Sequence, residues 1–268
     1  MLSSDFREEA RRRLTGKWGK VALMVLAYAA LFFVMGFIEG ILPNAIQPIL
    51  SLAELVIEIP LGFGLIYSLF KVFNGEDVGA FDFVNLGFDN FKKSWGVSLN
   101  IALKMIVPII LVIVSYFLIA ISIGSIIYSY ASSSVFYSAV SPTISGAGIA
   151  FGIIGFILLI VSMIWAITKS FYYQLAMLIA IDNPDMTSKD AVLKSQELMT
   201  GNRGKLFCLQ LSFIGWSILA SFTLGIGLLW LLPYMQFAII AFYKHLNGNS
   251  SDNEVVSNVE DIDNNENL

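Results

Sequence analysis

Long apolar runs alternate with short polar stretches along this chain, and the run lengths define its elements. About 20 consecutive apolar residues span a bilayer core as a helix. Runs at about 21–42, 49–73, 97–121, 146–168, 206–222 and 226–246 therefore predict six transmembrane helices. Pro43 and Asn44 end the first run; Glu54, Glu58 and Pro60 interrupt the second; Lys104 lies inside the third. The fourth can continue as a helix over 171–181. The stretch 206–243 is too long for one straight crossing, and Thr223-Leu224-Gly225-Ile226-Gly227 offers a turn that divides it. A single tilted helix or a re-entrant pair over 206–243, giving five crossings, is the alternative.

Between these runs lie shorter amphipathic segments. Phe6, Ala10 and Leu14 recur every fourth residue in 4–14, and Phe81, Val84, Phe88 and Phe91 form a stripe in 81–91. In 187–200, Thr187 and Asp190 resemble a capping box, and Ala191, Leu198 and Met199 lean to one side. Helices of this kind are expected in the headgroup layer at the cytoplasmic surface, basic residues toward anionic lipid. A groove on a partner protein is the alternative. Thr15-Gly16-Lys17-Trp18-Gly19-Lys20 and Thr200-Gly201-Asn202-Arg203-Gly204-Lys205 echo each other, and 90–96 repeats them more loosely. The chain thus reads as three units, each an amphipathic segment, a Gly-containing turn and a helical hairpin. Gly16, Gly19, Lys20, Gly201, Gly204 and Lys205 are expected to form membrane-surface turns in which the lysines snorkel. They do not form a phosphate loop, which needs four residues between its glycines and Ser or Thr after its lysine.

Composition and charge fix the class and the orientation. The 268 residues are 57% hydrophobic and 13% charged, against about 25% charged in soluble domains; mean hydropathy is +0.75. So few polar side chains could not cover a soluble fold of this size. A net charge of −4 excludes a basic nucleic-acid-binding surface. Of the 16 Lys and Arg residues, 15 lie before the first run, from the end of the second (Lys71) to the third, between the fourth and fifth, or at the end of the sixth (Lys244). The opposite loops, about 43–48, 122–145 and 223–225, have none. Lysine and arginine concentrate in cytoplasmic loops, so both termini are expected in the cytoplasm. Ala27-Tyr28-Ala29 looks like a cleavage site, but the short apolar run before it argues for a retained first helix. Residues 1–246 form a polytopic membrane domain on this reading. Residues 247–268, with six acidic and no basic residues, read as a disordered acidic cytoplasmic tail.

Catalytic chemistry is not evident. Cys208 and His245 stand alone as the single cysteine and histidine, which leaves no thiolate or imidazole set for zinc. Thr143-Ile144-Ser145-Gly146 has no base in a span to activate its serine, and Gly-x-Ser-x-Gly is absent. No catalytic residue, metal or cofactor is expected. The polar candidates within the membrane are Glu54, Glu58 and Lys104, with Glu39 near the outer interface. Glu54 and Glu58 are four apart, on one helical face. Glu58 is expected to sit deeper and to hydrogen-bond a neighbouring helix, or to exchange a proton along a water path. Lys104 is expected to snorkel. Gly36-x-x-x-Gly40 and Gly148-x-x-x-Gly152 predict close helix packing.

A family resemblance rests on successive segments in the last third: Asp182-Asn183-Pro184, Ala191, Ser195, Leu198-Met199-Thr200-Gly201, Lys205-Leu206-Phe207 and Leu211-Ser212-Phe213-Ile214-Gly215-Trp216. Leu224-Gly225-Ile226-Gly227, Trp230, Pro233-Tyr234 and Phe242-Tyr243 follow. With Leu14-Thr15-Gly16-Lys17-Trp18-Gly19-Lys20, the chain resembles the bacterial integral membrane family called domain of unknown function 975, over most of residues 5–246. The resemblance implies a multi-span helical fold in a bacterial cell membrane and supplies no activity, cofactor or catalytic residue. The expectation is an all-α integral membrane protein with six transmembrane helices as three hairpins. Two functions compete: a non-enzymatic scaffold, assembly or regulatory module, and a small-solute or ion transporter using the intramembrane glutamates. Expected partners are membrane lipid and a membrane protein or another copy of the chain, not nucleic acid.

Overall fold

The computed structural model describes residues 2–131 and 141–266, with side-chain surroundings described over 2–128 and 146–248. Every described element is an α-helix: α1 (Ser3–Leu14), α2 (Trp18–Ile41), α3 (Gln47–Asn74), α4 (Asp82–Asp89), α5 (Phe91–Ala131), α6 (Ser141–Tyr173), α7 (Ala176–Asp182), α8 (Ser188–Met199), α9 (Arg203–Leu211), α10 (Ile214–Phe222) and α11 (Leu228–Glu266). Five stretches are long and apolar enough to cross a membrane: Trp18–Ile41, Gln47–Asn74, Phe91–Tyr128, Gly146–Asp182 and Arg203–Phe222. The fourth includes the break between α6 and α7, and the fifth is α9 and α10 divided at Ser212-Phe213. The predicted sixth span, 226–246, falls in α11 and is not among them. Tyr234, Gln236, Lys244 and His245 lower its hydropathy, while Phe237, Ala238, Ile240, Phe242 and Tyr243 are fully buried in protein. A helix enclosed by its neighbours does not need an apolar surface for lipid.

Two boundaries differ further from expectation. Residues 122–131 extend α5 rather than forming a loop, and 132–140 of the expected extracellular segment lie outside the described residues. The backbone of α11 is helical to Glu266, across the segment expected to be a disordered tail.

The chain divides into two compact units, Ile101–Phe171 and the remainder. In the smaller unit α5 and α6 meet through small residues. A Cβ added to Gly152 would lie 2.5 Å from the Ser122 hydroxyl, and one on Gly155 would lie 3.0 Å from Leu118. The predicted Gly148-x-x-x-Gly152 contact is present; a Cβ on Gly36 or Gly40 would meet nothing within 4 Å, so that pair makes no close contact.

In the larger unit the three short amphipathic helices follow one rule. Helix α4 packs on α3, α8 on α7, and α1 on α11. Each therefore docks on the helix that precedes its own hairpin, the first closing on the last. Helices α7 and α11 both pack against α3. The apolar stripe of α1 is consumed by this closure: Phe6, Ala10 and Leu14 are buried, and the Phe6 ring meets Phe242 edge-on at 5.3 Å. Ala191, Val192, Leu198 and Met199 of α8 are buried likewise. These two stripes face the protein's own helices. Helix α4 behaves differently. It docks through Phe83 and Gly87, leaving Phe81 and Phe88 exposed on its other side.

The α3–α4 contact is backbone against backbone. A Cβ on Gly64 would lie 1.9 Å from the Phe83 carbonyl, and one on Gly87 would lie 2.3 Å from the Pro60 carbonyl. Pro60 has no N–H to donate, so the Val56 carbonyl one turn earlier loses its helical partner. The indole N–H of Trp95, at the start of α5, donates to that carbonyl at 3.3 Å.

The duplicated turn is real in three dimensions. Gly16 and Gly201 adopt left-handed φ of +78° and +80°, a conformation that favours glycine. In both copies the threonine before the glycine, Thr15 or Thr200, donates its hydroxyl to the carbonyl four residues back. The middle copy departs: α4 passes into α5 at Asn90 with negative φ.

Candidate functional site

The glutamates of α3 separate instead of converging. Glu54 is half-buried and lines a cleft of about 180 Å³ with Glu39, Met35 and Ile38 of α2 and Leu50, Ala53 and Ile57 of α3. The Ser51 hydroxyl donates to Glu39 at 3.4 Å. Glu58 is exposed within its unit and makes no hydrogen bond among the described residues, so the expected helix-to-helix bond is absent. The four-residue spacing holds, but the two positions differ in burial: α2 covers the turn that carries Glu54. Tyr28 is the neighbour within electrostatic reach of Glu58. Lys104 is exposed in its own unit.

The basic residues of the first turn are drawn into the fold. Lys17 donates to the Val72 carbonyl at 2.9 Å and Arg13 to the Phe73 carbonyl at 3.4 Å, at the C-terminal end of α3, whose partial negative charge favours cations. Lys20 forms an ion pair with Asp77 and holds that exposed carboxyl below its ordinary pKa. Lys205 in the second turn is exposed, as are Gly16, Gly19, Gly201 and Gly204. Lys93 does for α7 what Lys17 does for α3, donating to the carbonyls of Asn183, at 2.9 Å, and Pro184.

A polar clamp that spacing alone did not single out joins α7 to α11. Asp182, at the end of α7, accepts from the Tyr243 hydroxyl at 2.7 Å and from Lys244 at 2.9 Å. The Lys244 ammonium also lies over the Phe70 ring of α3, 4.6 Å from its centroid. Nearby, the Ser195 hydroxyl of α8 donates to the Tyr172 carbonyl at 2.8 Å, where the break between α6 and α7 frees it. The signal for this clamp was the segment similarity at Asp182 and Phe242-Tyr243, which named the residues without their pairing.

Among the described residues, five helical stretches long and apolar enough to cross a bilayer mark this as an all-helical membrane protein. A family model described as Protein of unknown function (DUF975) matches residues 1–250, and the chain belongs to that family. No curated protein and no solved structure matches it.

Proposed function

We propose that this protein is a non-enzymatic module of the bacterial cytoplasmic membrane, acting as a scaffold, assembly partner or regulator. The observation that carries this reading is the apolar interior of the larger unit. Its buried centre is built from Leu61, Phe63, Phe237, Ile240 and Phe242, and among the described residues its fully buried hydroxyls are those of Ser68, Ser94, Ser195 and Tyr243. A transporter driven through Glu54 and Glu58 needs both carboxyls on one hydrated path. Glu58 instead lies outside the cleft that Glu54 lines. The cleft shared by Glu39 and Glu54 is what favours the transporter as the second reading.

Six crossings with both termini cytoplasmic complete the proposal. The support is the contact between the two ends of the domain: the Phe6 ring lies 5.6 Å from the His245 ring. Residues 6 and 245 then share one membrane face, which an even number of crossings satisfies and five do not. The basic residues distributed along that face give it the cytoplasmic side.

The test is reconstitution of the purified chain in vesicles under imposed proton and sodium gradients, alongside cross-linking of the tagged chain in native membranes. The module reading expects gradients to decay alike for the parent and for E39Q/E54Q/E58Q, and a discrete cross-linked species, either a partner or a second copy. Gradient dissipation by the parent that is lost in the triple variant overturns it.

A further inference from the structure

A cavity with a mostly apolar wall lies in the larger unit, away from the glutamates. It is bounded by α1, the start of α2, α10 and α11 and has a volume of about 510 Å³, within the range of about 300–1,000 Å³ typical of ligand sites. Its two ends differ in chemistry. Arg7 and Arg11 stand at one end beside Trp18 and Tyr234; Trp216, Leu219, Ala220, Trp230 and Leu231 form an apolar wall leading to the α10–α11 turn. From Tyr234 to Leu228, the first residue of α11, this wall runs six residues along the helix, roughly 9 Å at 1.5 Å per residue.

The cations at its head are uncommitted among the described residues. Arg12 and Arg13 of the same helix are spent on Glu9, at 2.5 and 2.8 Å. Those bonds outweigh the effect of burial on Glu9 and hold its carboxyl below the ordinary value. Arg7 and Arg11, on the adjoining face, form no such pair, and Arg7 Nε is buried without a hydrogen-bond partner. A buried guanidinium nitrogen left unpaired is costly, and no acidic residue lines the cavity. Two guanidiniums one helical turn apart match the oxygens of a phosphate. The opposite wall has no use for a free phosphate. Trp216 and Trp230, 57% and 46% exposed overall, offer that wall broad apolar faces on which an acyl chain can lie.

We infer that this cavity binds one anionic phospholipid, its phosphate held by Arg7 and Arg11 and its upper acyl chain laid along Trp216, Leu219 and Trp230. The inference does not depend on whether the protein is a module or a transporter. A bound lipid would tie α1 to the α10–α11 hairpin.

Three of the five tryptophans line the cavity, so intrinsic fluorescence reads its occupancy. The full chain is placed in phosphatidylcholine nanodiscs doped with either brominated phosphatidylglycerol or brominated phosphatidylcholine. Quenching should favour phosphatidylglycerol, and R7Q/R11Q should weaken that preference about tenfold or more, while R12Q/R13Q retains it. Should the double variant fail to fold, R11Q alone, at an exposed position, should still weaken the preference. Equal quenching by the two lipids, or a preference unchanged in R11Q and R7Q/R11Q, overturns the inference. Suppression of the preference by added inorganic phosphate also overturns it, because the site would then take the free anion rather than the lipid.

Discussion

Asp182 is half-hidden at the end of a seven-residue helix, yet three elements meet at its carboxylate. Removing the Tyr243 hydroxyl as Y243F deletes one hydrogen bond to a charged acceptor and should cost about 1.5–3 kcal/mol. D182A leaves the Tyr243 hydroxyl and Lys244 unpaired together and should be the more destabilising of the two. Thermal unfolding of the purified variants checks this, and a D182A midpoint equal to that of the parent would contradict the clamp. Glu58 gives the opposite expectation. With no hydrogen bond to lose, both E58Q and E58L should unfold within about 0.5 kcal/mol of the parent, and a large loss in E58L would show a partner that the fold does not display. The sequence placed Glu54 and Glu58 on one face correctly, because 3.6 residues per turn dictates it. It could not show that Glu39 on α2 would share the cleft with Glu54. That depends on how α2 and α3 pack, and no periodicity within either helix encodes it.

At the scale of elements, the sequence revealed that helices exist but not what their apolar faces meet. The stripe Phe6, Ala10, Leu14 has one appearance whether it enters lipid or covers a neighbouring helix. Helix α11 does the covering, and its own dense apolar composition was read as a lipid-facing span. The glycine turns were legible, since Gly16 and Gly201 recur in matching settings; the α3–α4 contact was not, because Gly64 and Gly87 lie in different repeats with no shared motif. That contact is directly testable. G64L drives a side chain into the Phe83 carbonyl, an overpacking that costs about 1–3 kcal/mol or more, and should speed hydrogen exchange across 82–89. G36L, in open space, should leave exchange unchanged. F88S/F91S alters the exposed side of α4 and the first residue of α5 and should leave the docked amides of α4 protected. Similar exchange in G64L and the parent would mean that α4 is not held by this backbone approach.

Across the whole molecule, one pattern links sequence to architecture: three repeated units, each opened by a short helix that docks on the helix before it. Because α1 closes on α11, the first and last segments of the domain come together, with Phe6 against Phe242 and His245. The distribution of lysine and arginine is the sequence's argument for the proposed sidedness. The closure was not legible, because it joins residues more than 230 positions apart. Hydropathy alone favours five crossings, since α11 is buried in protein over 237–243 and need not be uniformly apolar; the closure favours six. The difference is whether residues after Tyr243 return to the side of the N-terminus. Paired topology reporters fused after Tyr243 and inserted at Leu224 measure this in intact cells. The account predicts a cytoplasmic signal after Tyr243 and an external one at Leu224; an external signal after Tyr243 would contradict it.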